Sequence, residues 1–352
     1  MLPAMMTAWH PDPLMRRLPH LKVRMALQQA IRDHFLRQDF LEVDTPILQV
    51  SPGMEPHIMA FSTRMIEPNP EIAATLYLHT SPEFAMKKLL AGGLPRIFQF
   101  AHVFRNQERS SRHSPEFIML EWYRAGEGYT RLMEDCAALL RCAAVAGGRT
   151  RAEYNGLSCD LTAQPQVLTV AEAFRQYAGI DLLATAPDPL HPDTPLLAAE
   201  ARRAGIAVRE TDTWEDIFFR ISLEKIEPHL GADRPVFLTE YPVSMAALSR
   251  PKPGDPRVAE RFELYVCGLE LANAFGELTD PVVQRSRFEA DMALKERLYG
   301  VRYPVDADFM AALEHGLPES SGIALGFDRL AMLASGAQKI EDVLWLPVVR
   351  PS

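Results

Sequence analysis

The sequence predicts an α+β domain built around a largely antiparallel sheet. Two observations lead there. Short runs rich in β-branched and aromatic residues recur at "FLEVDTPIL", "RIFQFAHVFR", "EFIMLEWYR", "PVFLTEYP", "RFELYVCGLELANAF" and "SSGIALGF". Helical stretches of irregular length stand between them, unlike the regular alternation of a parallel α/β sheet. No repeat, low-complexity tract or flexible linker breaks the pattern. One unit over 15–352 is therefore expected, after a lead-in of 1–14.

Within that frame, "MRRLPHLKVRMALQQAIRDHFLRQ" places Leu21, Met25, Ile31 and Phe35 near one face. It reads as a long amphipathic helix starting after Pro19. "FLEVDTPIL" follows as a strand closed at Thr45-Pro46. In "LYLHTSPEFAMKKLLA" a short strand leads to a helix capped at Ser81, with Pro82 at its first position and Glu83 in its first turn. Residues 96–105 and 116–124 form a hairpin with a long polar loop. A helix is expected over 130–145, and another where Thr169 and Glu172 make a capping box. The Pro-, Asp- and Ala-rich stretch 180–212 reads as a small helical insertion. Residues 213–230 are helical up to Pro228, and further helices follow at about 281–298, 306–315 and 327–335.

Composition narrows the function. At 352 residues, 47% hydrophobic and 24% charged, the chain has the make-up of a globular protein with ample core. Net charge is −9 and no long basic run occurs, which argues against a large nucleic-acid footprint. Cys136, Cys142, Cys159 and Cys267 lack metal or redox spacing and read as reduced, mostly buried thiols. Two prolines stand where a signal peptide needs its apolar helix, and no apolar run approaches the roughly 18 residues of a membrane span. A cytoplasmic protein is expected.

The unusual feature is acid inside apolar strands: Glu121 in "FIMLEWY", Glu263 in "RFELYV", Glu270 in "GLELANAF", and Glu277 just beyond. Taken singly, each reads as a solvent-facing residue, and Glu83 as a helix-dipole partner. Glu121 resists that reading because Met119 and Tyr123 flank it on its own face. Buried acids require a cation, a metal or a ligand amine. Glu263 and Glu270 are seven apart, so they share a face only if a bend or bulge lies near Gly268. Arg105, Arg112, His113 and Arg329 are the cations available. A lone arginine is usually a surface charge, but a set at strand ends and in a mobile loop fits phosphate oxygens. Acids for Mg²⁺ and amines beside such arginines describe a nucleotide site next to a cationic substrate.

These residues resemble the class II aminoacyl-tRNA synthetases, and within them the lysyl group, over roughly 15–350. "FLEVDTPIL" looks like motif 1, "VFRNQERSSRHSPEFIMLEWY" like motif 2 and "GIALGFDRL" like motif 3, with "TSPEF" and "ELANAFGEL" in support. The resemblance implies ATP as substrate and Mg²⁺ as metal, with a homodimer formed through the first helix and motif 1. Arg105 would grip the α-phosphate and the substrate carboxylate. Phe117 and Arg329 would sandwich the adenine, Arg329 also reaching toward the γ-phosphate. Arg112 and His113 would lie near the outer phosphates, and Gly326 in the ATP site. Glu263 and Glu270 would hold Mg²⁺. Glu83, Glu121, Tyr123, Asn273 and Glu277 match the positions that recognise the two amines of lysine.

Three departures refine this. Only about 14 residues precede the first helix, leaving no room for the lysyl group's anticodon domain, so tRNA is not the expected acceptor. Motif 2 has Gln107 where Glu is usual, which keeps hydrogen bonding toward ATP but adds no charge. Motif 3 has Ala324 in place of its middle glycine. Ala324 would face the substrate amino acid and is similar to the lysyl-synthetase paralogues that attach (R)-β-lysine to translation elongation factor P. One methyl is worth about 1–3 kcal/mol of discrimination. The implied activity is adenylation of (R)-β-lysine and its transfer to a lysine ε-amine of that factor. A truncated lysyl- or asparagine-type synthetase, or a regulatory pseudo-synthetase without chemistry, are the alternatives. Retention of Arg105, Glu263, Glu270 and Arg329 speaks against the last.

Overall fold

The β-rich runs pair into one eight-stranded sheet in a computed structural model, which describes residues 8–69, 71 and 73–349. Its strands are β1 (Leu41–Glu42), β2 (Arg96–Phe104), β3 (Glu116–Ala125), β4 (Gln166–Thr169), β5 (Val236–Thr239), β6 (Arg261–Val266), β7 (Leu269–Gly276) and β8 (Ser320–Gly326). Their spatial order is β1-β2-β3-β8-β7-β6-β5-β4. Only the edge strands β1 and β4 pair in parallel; every inner pairing is antiparallel. The α+β expectation holds.

Alternation along these strands gives the sheet two different faces. Trp122, Phe98, Ile323 and Leu325 pack under the helices Pro11–Leu36, Tyr129–Gly147 and Phe327–Ser335, forming the main core with Leu27, Ile31, Phe35 and Leu139. The opposite face carries Glu121, Ala324, Asn273 and Glu263 as one row of cross-strand neighbours. A second core forms where the helical insertion, including Thr194–Arg203 and Trp214–Ile221, packs beside β4 and β5. The helices Glu83–Ala91, Pro281–Tyr299 and Ala307–Gly316 close a third. The capping box of Thr169 and Glu172 is present, with both reciprocal bonds made.

Four sequence expectations are corrected. The first helix begins at Pro11, inside the expected lead-in, and runs through Pro19. Proline removes one intrahelical bond, but the carbonyl it would have served belongs to Met15, on the exposed side. On the same helix Met25 faces solvent and Arg24 points inward, because Arg24 finds a buried acid. "FLEVDTPIL" is not one strand: Leu41–Glu42 joins the large sheet and Leu48–Gln49 a separate three-stranded one, with Pro46 between them.

The last correction shapes the site. Residues 261–275 form a hairpin, with Cys267 and Gly268 at φ 53° and 67°. Two successive left-handed residues make the two-residue reversal that matches strand twist. A bulge after Leu264 then sets Tyr265 opposite Glu270 while Glu263 stays opposite Asn273. That one-residue shift brings Glu270 onto the face of Glu263.

Candidate active site

The acid-bearing face of the sheet floors a cleft of about 490 Å³. Its walls come from the turn before the Glu83–Ala91 helix, the loop between β2 and β3, the loop at 244–248, and the start of the Phe327–Ser335 helix. Of the residues expected in a site, Glu83, Arg105, Arg112, His113, Phe117, Glu263, Glu270, Asn273, Ala324, Gly326 and Arg329 all line it. Segments more than 200 residues apart in sequence are thus brought together, because β8 inserts between β3 and β7.

One end is cationic. The Arg105 guanidinium lies 5.4 Å over the Phe117 ring, and its Nε is buried without a hydrogen-bond partner. A buried donor with nothing to donate to fits an anionic ligand. Arg329 donates through Nη1 to the Glu270 carbonyl and through Nη2 to His113 Nε2, each at 2.7 Å. Guanidinium only donates, so His113 Nε2 must accept and Nδ1 must carry the proton toward Ser110 Oγ, 2.7 Å away. Burial, with Arg329, Arg112 and Arg105 around it, holds His113 down at about 4, so the ring is neutral. Beside these cations, Glu263 accepts from Arg261 Nη2 at 2.7 Å and from Tyr265 OH at 2.8 Å. Burial and the charge of Glu263 together push Glu270 up to about 7.

The other end is anionic. Glu121 accepts from Ser81 Oγ at 2.6 Å and from Tyr123 OH at 3.1 Å. Burial first, then the charge of Glu83, lift it to about 8. Lys87, one turn after Glu83 and fully buried, is paired with Glu83 and lies 2.5 Å from Glu277 Oε2. Burial opposes its charge, but Glu277 and Glu83 outweigh that and hold the ammonium above its ordinary value. Burial still keeps Glu277 up at about 7. Glu83 and Glu277 therefore share one internal cation.

The bare side of β8 serves two ends. A Cβ on Gly322 would overlap both the Tyr123 ring and Glu277 Oε1, so glycine there is needed by the protein itself. At Gly326 a Cβ would meet only Arg329 in ordinary contact, and Ala324 opens directly on the cleft. Glu121, Tyr123 and Glu277 lie behind the lining rather than in it, reached through Ser81 and Glu83. Gln107 is displaced altogether: it is exposed with φ 68°, and Glu108 lines the cleft in its place. Lys87 and Arg261 were missed. The signals were present, Lys87 four residues after Glu83 on one helix and Arg261 two before Glu263 on one strand face.

Among the described residues no cluster of three or more metal-ligating side chains occurs. Two carboxylates with substrate oxygens suffice for Mg²⁺, which keeps much of its shell as water and phosphate.

Residues 15–350 match the family described as tRNA synthetases class II (D, K and N). The chain is 39% identical over 348 residues to a curated elongation factor P–(R)-beta-lysine ligase of Yersinia enterocolitica, covering 97% of this chain and 98% of that one. It is 38% identical over 336 residues to the protein so named in Haemophilus influenzae, covering 96% of each. In Vibrio cholerae the figures are 38% over 338 residues, with 95% of this chain and 96% of the relative covered.

Proposed function

This chain belongs to the class II tRNA synthetases of the D, K and N group, and we propose from that premise that it activates (R)-β-lysine with ATP and transfers it to a lysine of elongation factor P. It is an ATP-dependent ligase. The observation that carries the substrate class is the charge layout of one cleft: at one end buried carboxylates, two of which are ion-paired with Lys87, and donor-rich arginines at the other.

In the first step a carboxylate oxygen of the amino acid attacks the α-phosphorus of ATP. The bond to the bridging oxygen breaks and pyrophosphate leaves. Arg105 would hold both reacting groups, and Phe117 with Arg329 would hold the base. Glu263 and Glu270 would hold Mg²⁺, which when bound neutralises phosphate charge. In the second step the ε-amine of the acceptor attacks the acyl carbon, the acyl–phosphate bond breaks, and AMP leaves. The amine gives up its proton as the amide forms. Glu83, Glu121, Glu277 and Tyr123 would set the field that draws the substrate amines, with Asn273 and Ala324 shaping the floor.

The −9 net charge supports a protein acceptor over tRNA. Exposed Met25, Leu36, Leu41 and Leu48 along the first helix and the following segment support a homodimer through that face. No helix among the described residues is long and apolar enough to cross a membrane. A reaction of ATP with a translation factor is a cytoplasmic one.

The test is ATP–pyrophosphate exchange with (R)-β-lysine and L-lysine compared side by side. Faster exchange with the β-isomer supports the reading. A clear preference for L-lysine, or none with either, overturns it.

A further inference from the structure

Arg287, Asp291 and Lys295 stand four residues apart on the helix Pro281–Tyr299. At that spacing each cation is within reach of the acid between them. Both turn elsewhere. Arg287 Nη1 donates to the carbonyls of Ala246, Ala247 and Ser249 at 2.5, 3.2 and 2.8 Å. Lys295 Nζ donates to those of Glu55, Pro56 and Ile58 at 3.3, 2.9 and 2.6 Å. Residues 244–248 and 54–58 both line the cleft, and so does Asp291. One helix thus holds two walls of the cleft by their backbone.

Lys295 is the more telling of the two cations. It is fully buried, with its ammonium 4.7 Å over the Tyr303 ring. An ammonium has three protons to donate, and three carbonyls receive them. Burial pulls it below the ordinary lysine value, with the charge of Glu55 opposing. An apolar side chain would fill the space without that desolvation cost, so packing does not account for the charge. What the charge does is gather a stretch with little regular structure of its own. Two tyrosines assist. Tyr303 OH accepts the Ala60 N–H at 2.9 Å, and Tyr299 OH lies 2.8 Å from His57 Nδ1. The stretch so held carries Glu55, which shares its field with both Glu83 and Arg105.

We propose that Lys295 is a positioning residue for the amino-acid half of the cleft: by gathering the carbonyls of residues 55, 56 and 58 it sets the wall that carries Glu55. The inference rests on the functional reading above, which puts the substrate's amines near Glu83 and its carboxylate at Arg105. Lys295 itself touches no reacting atom.

The test compares Lys295→Met, which keeps the length of the side chain, with Tyr303→Phe, which removes only the hydroxyl bound to Ala60. Pyrophosphate exchange gives the KM for (R)-β-lysine and for ATP, and amide hydrogen exchange gives the mobility of each segment. Lys295→Met should raise the KM for (R)-β-lysine about tenfold and that for ATP less than about threefold. Its amides at 54–60 should exchange about tenfold faster, while those at 244–249, held by Arg287, stay as in wild type. Tyr303→Phe should move the same two readings in the same direction by about threefold. An unchanged KM for (R)-β-lysine in Lys295→Met, equal rises in both KM values, or faster exchange spread over the whole chain overturns the proposal. Should Lys295→Met not fold, Tyr303→Phe decides, and exchange at 54–60 no faster than in wild type overturns it. If wild-type protein exchanges no pyrophosphate with (R)-β-lysine, the functional reading fails instead, and the amide measurement still judges the hold of Lys295 on 54–60.

Discussion

Arg24 on the first helix and Asp328 in the helix after β8 are joined at 2.6 Å, and both side chains are almost fully buried. The other Asp328 oxygen accepts the backbone N–H of Ile118 on β3 at 2.8 Å. The Arg24 guanidinium also lies 4.9 Å over Phe327. Three segments that look separate in the sequence meet on one carboxylate, immediately before Arg329.

Removing one partner of such a pair leaves a buried charge uncompensated. Arg24→Ala is therefore expected to lower stability by about 3–5 kcal/mol, read from urea denaturation. A variant as stable as wild type would mean that Asp328 is held by Ile118 alone.

Gly322 offers a different kind of test. Alanine there must push the Tyr123 ring or Glu277 aside, an overpacking that costs about 1–3 kcal/mol. The damage is at the anionic end, so the KM for the amino acid should rise while ATP affinity, measured alone, stays near wild type. Equal loss of both would show that the strand as a whole has moved.

The acids at the anionic end give pH a predictable sign. Glu121 and Glu277 sit at about 8 and about 7, raised by burial from an ordinary 4.5. Between those values the native state binds more protons than the unfolded chain. Ligand-free protein should therefore lose stability as pH rises from 5 to 8 on this account. Cationic substrate needs the ionised acids, so its KM should fall roughly tenfold or more between pH 6 and 8.5. A KM that is flat over this range would place the amine elsewhere.

Ala324 stands between Glu121 and Asn273 in the cross-strand row and faces the cleft. Ala324→Gly should shift preference from (R)-β-lysine toward L-lysine by roughly tenfold in kcat/KM, since one methyl is worth about 1–3 kcal/mol. An unchanged ratio would leave the methyl without a role in choosing the isomer.

Most of the sheet was legible because alternation and turn residues are local signals, as in the β2–β3 hairpin and in the strand ending at Gly326. The row of site residues was legible for the same reason, since acids on an apolar strand stand out. What escaped depends on partners distant in sequence. Arg24 takes an inward position only because Asp328 waits there, about 300 residues on. Lys87 looks like a solvated helix residue until Glu277 is brought over it. The Cys267–Gly268 reversal lacks the usual Asn-Gly signal, so two short strands read as one long one. Gln107 and Glu108 could not be told apart, because a left-handed residue in a loop decides which of them turns inward.

Placing β8 between β3 and β7 also sets the order in which the molecule comes into being. β3 ends at residue 125 and cannot meet its partner until residues 320–326 have been made. At about 5–20 residues per second, the edge of β3 waits for roughly 10–40 s of synthesis. Contacts of such sequence separation close slowly in any case. A chain halted before β8 is therefore not a weakened enzyme; it is two open sheet edges, on β3 and β7, free to pair with whatever strand arrives first.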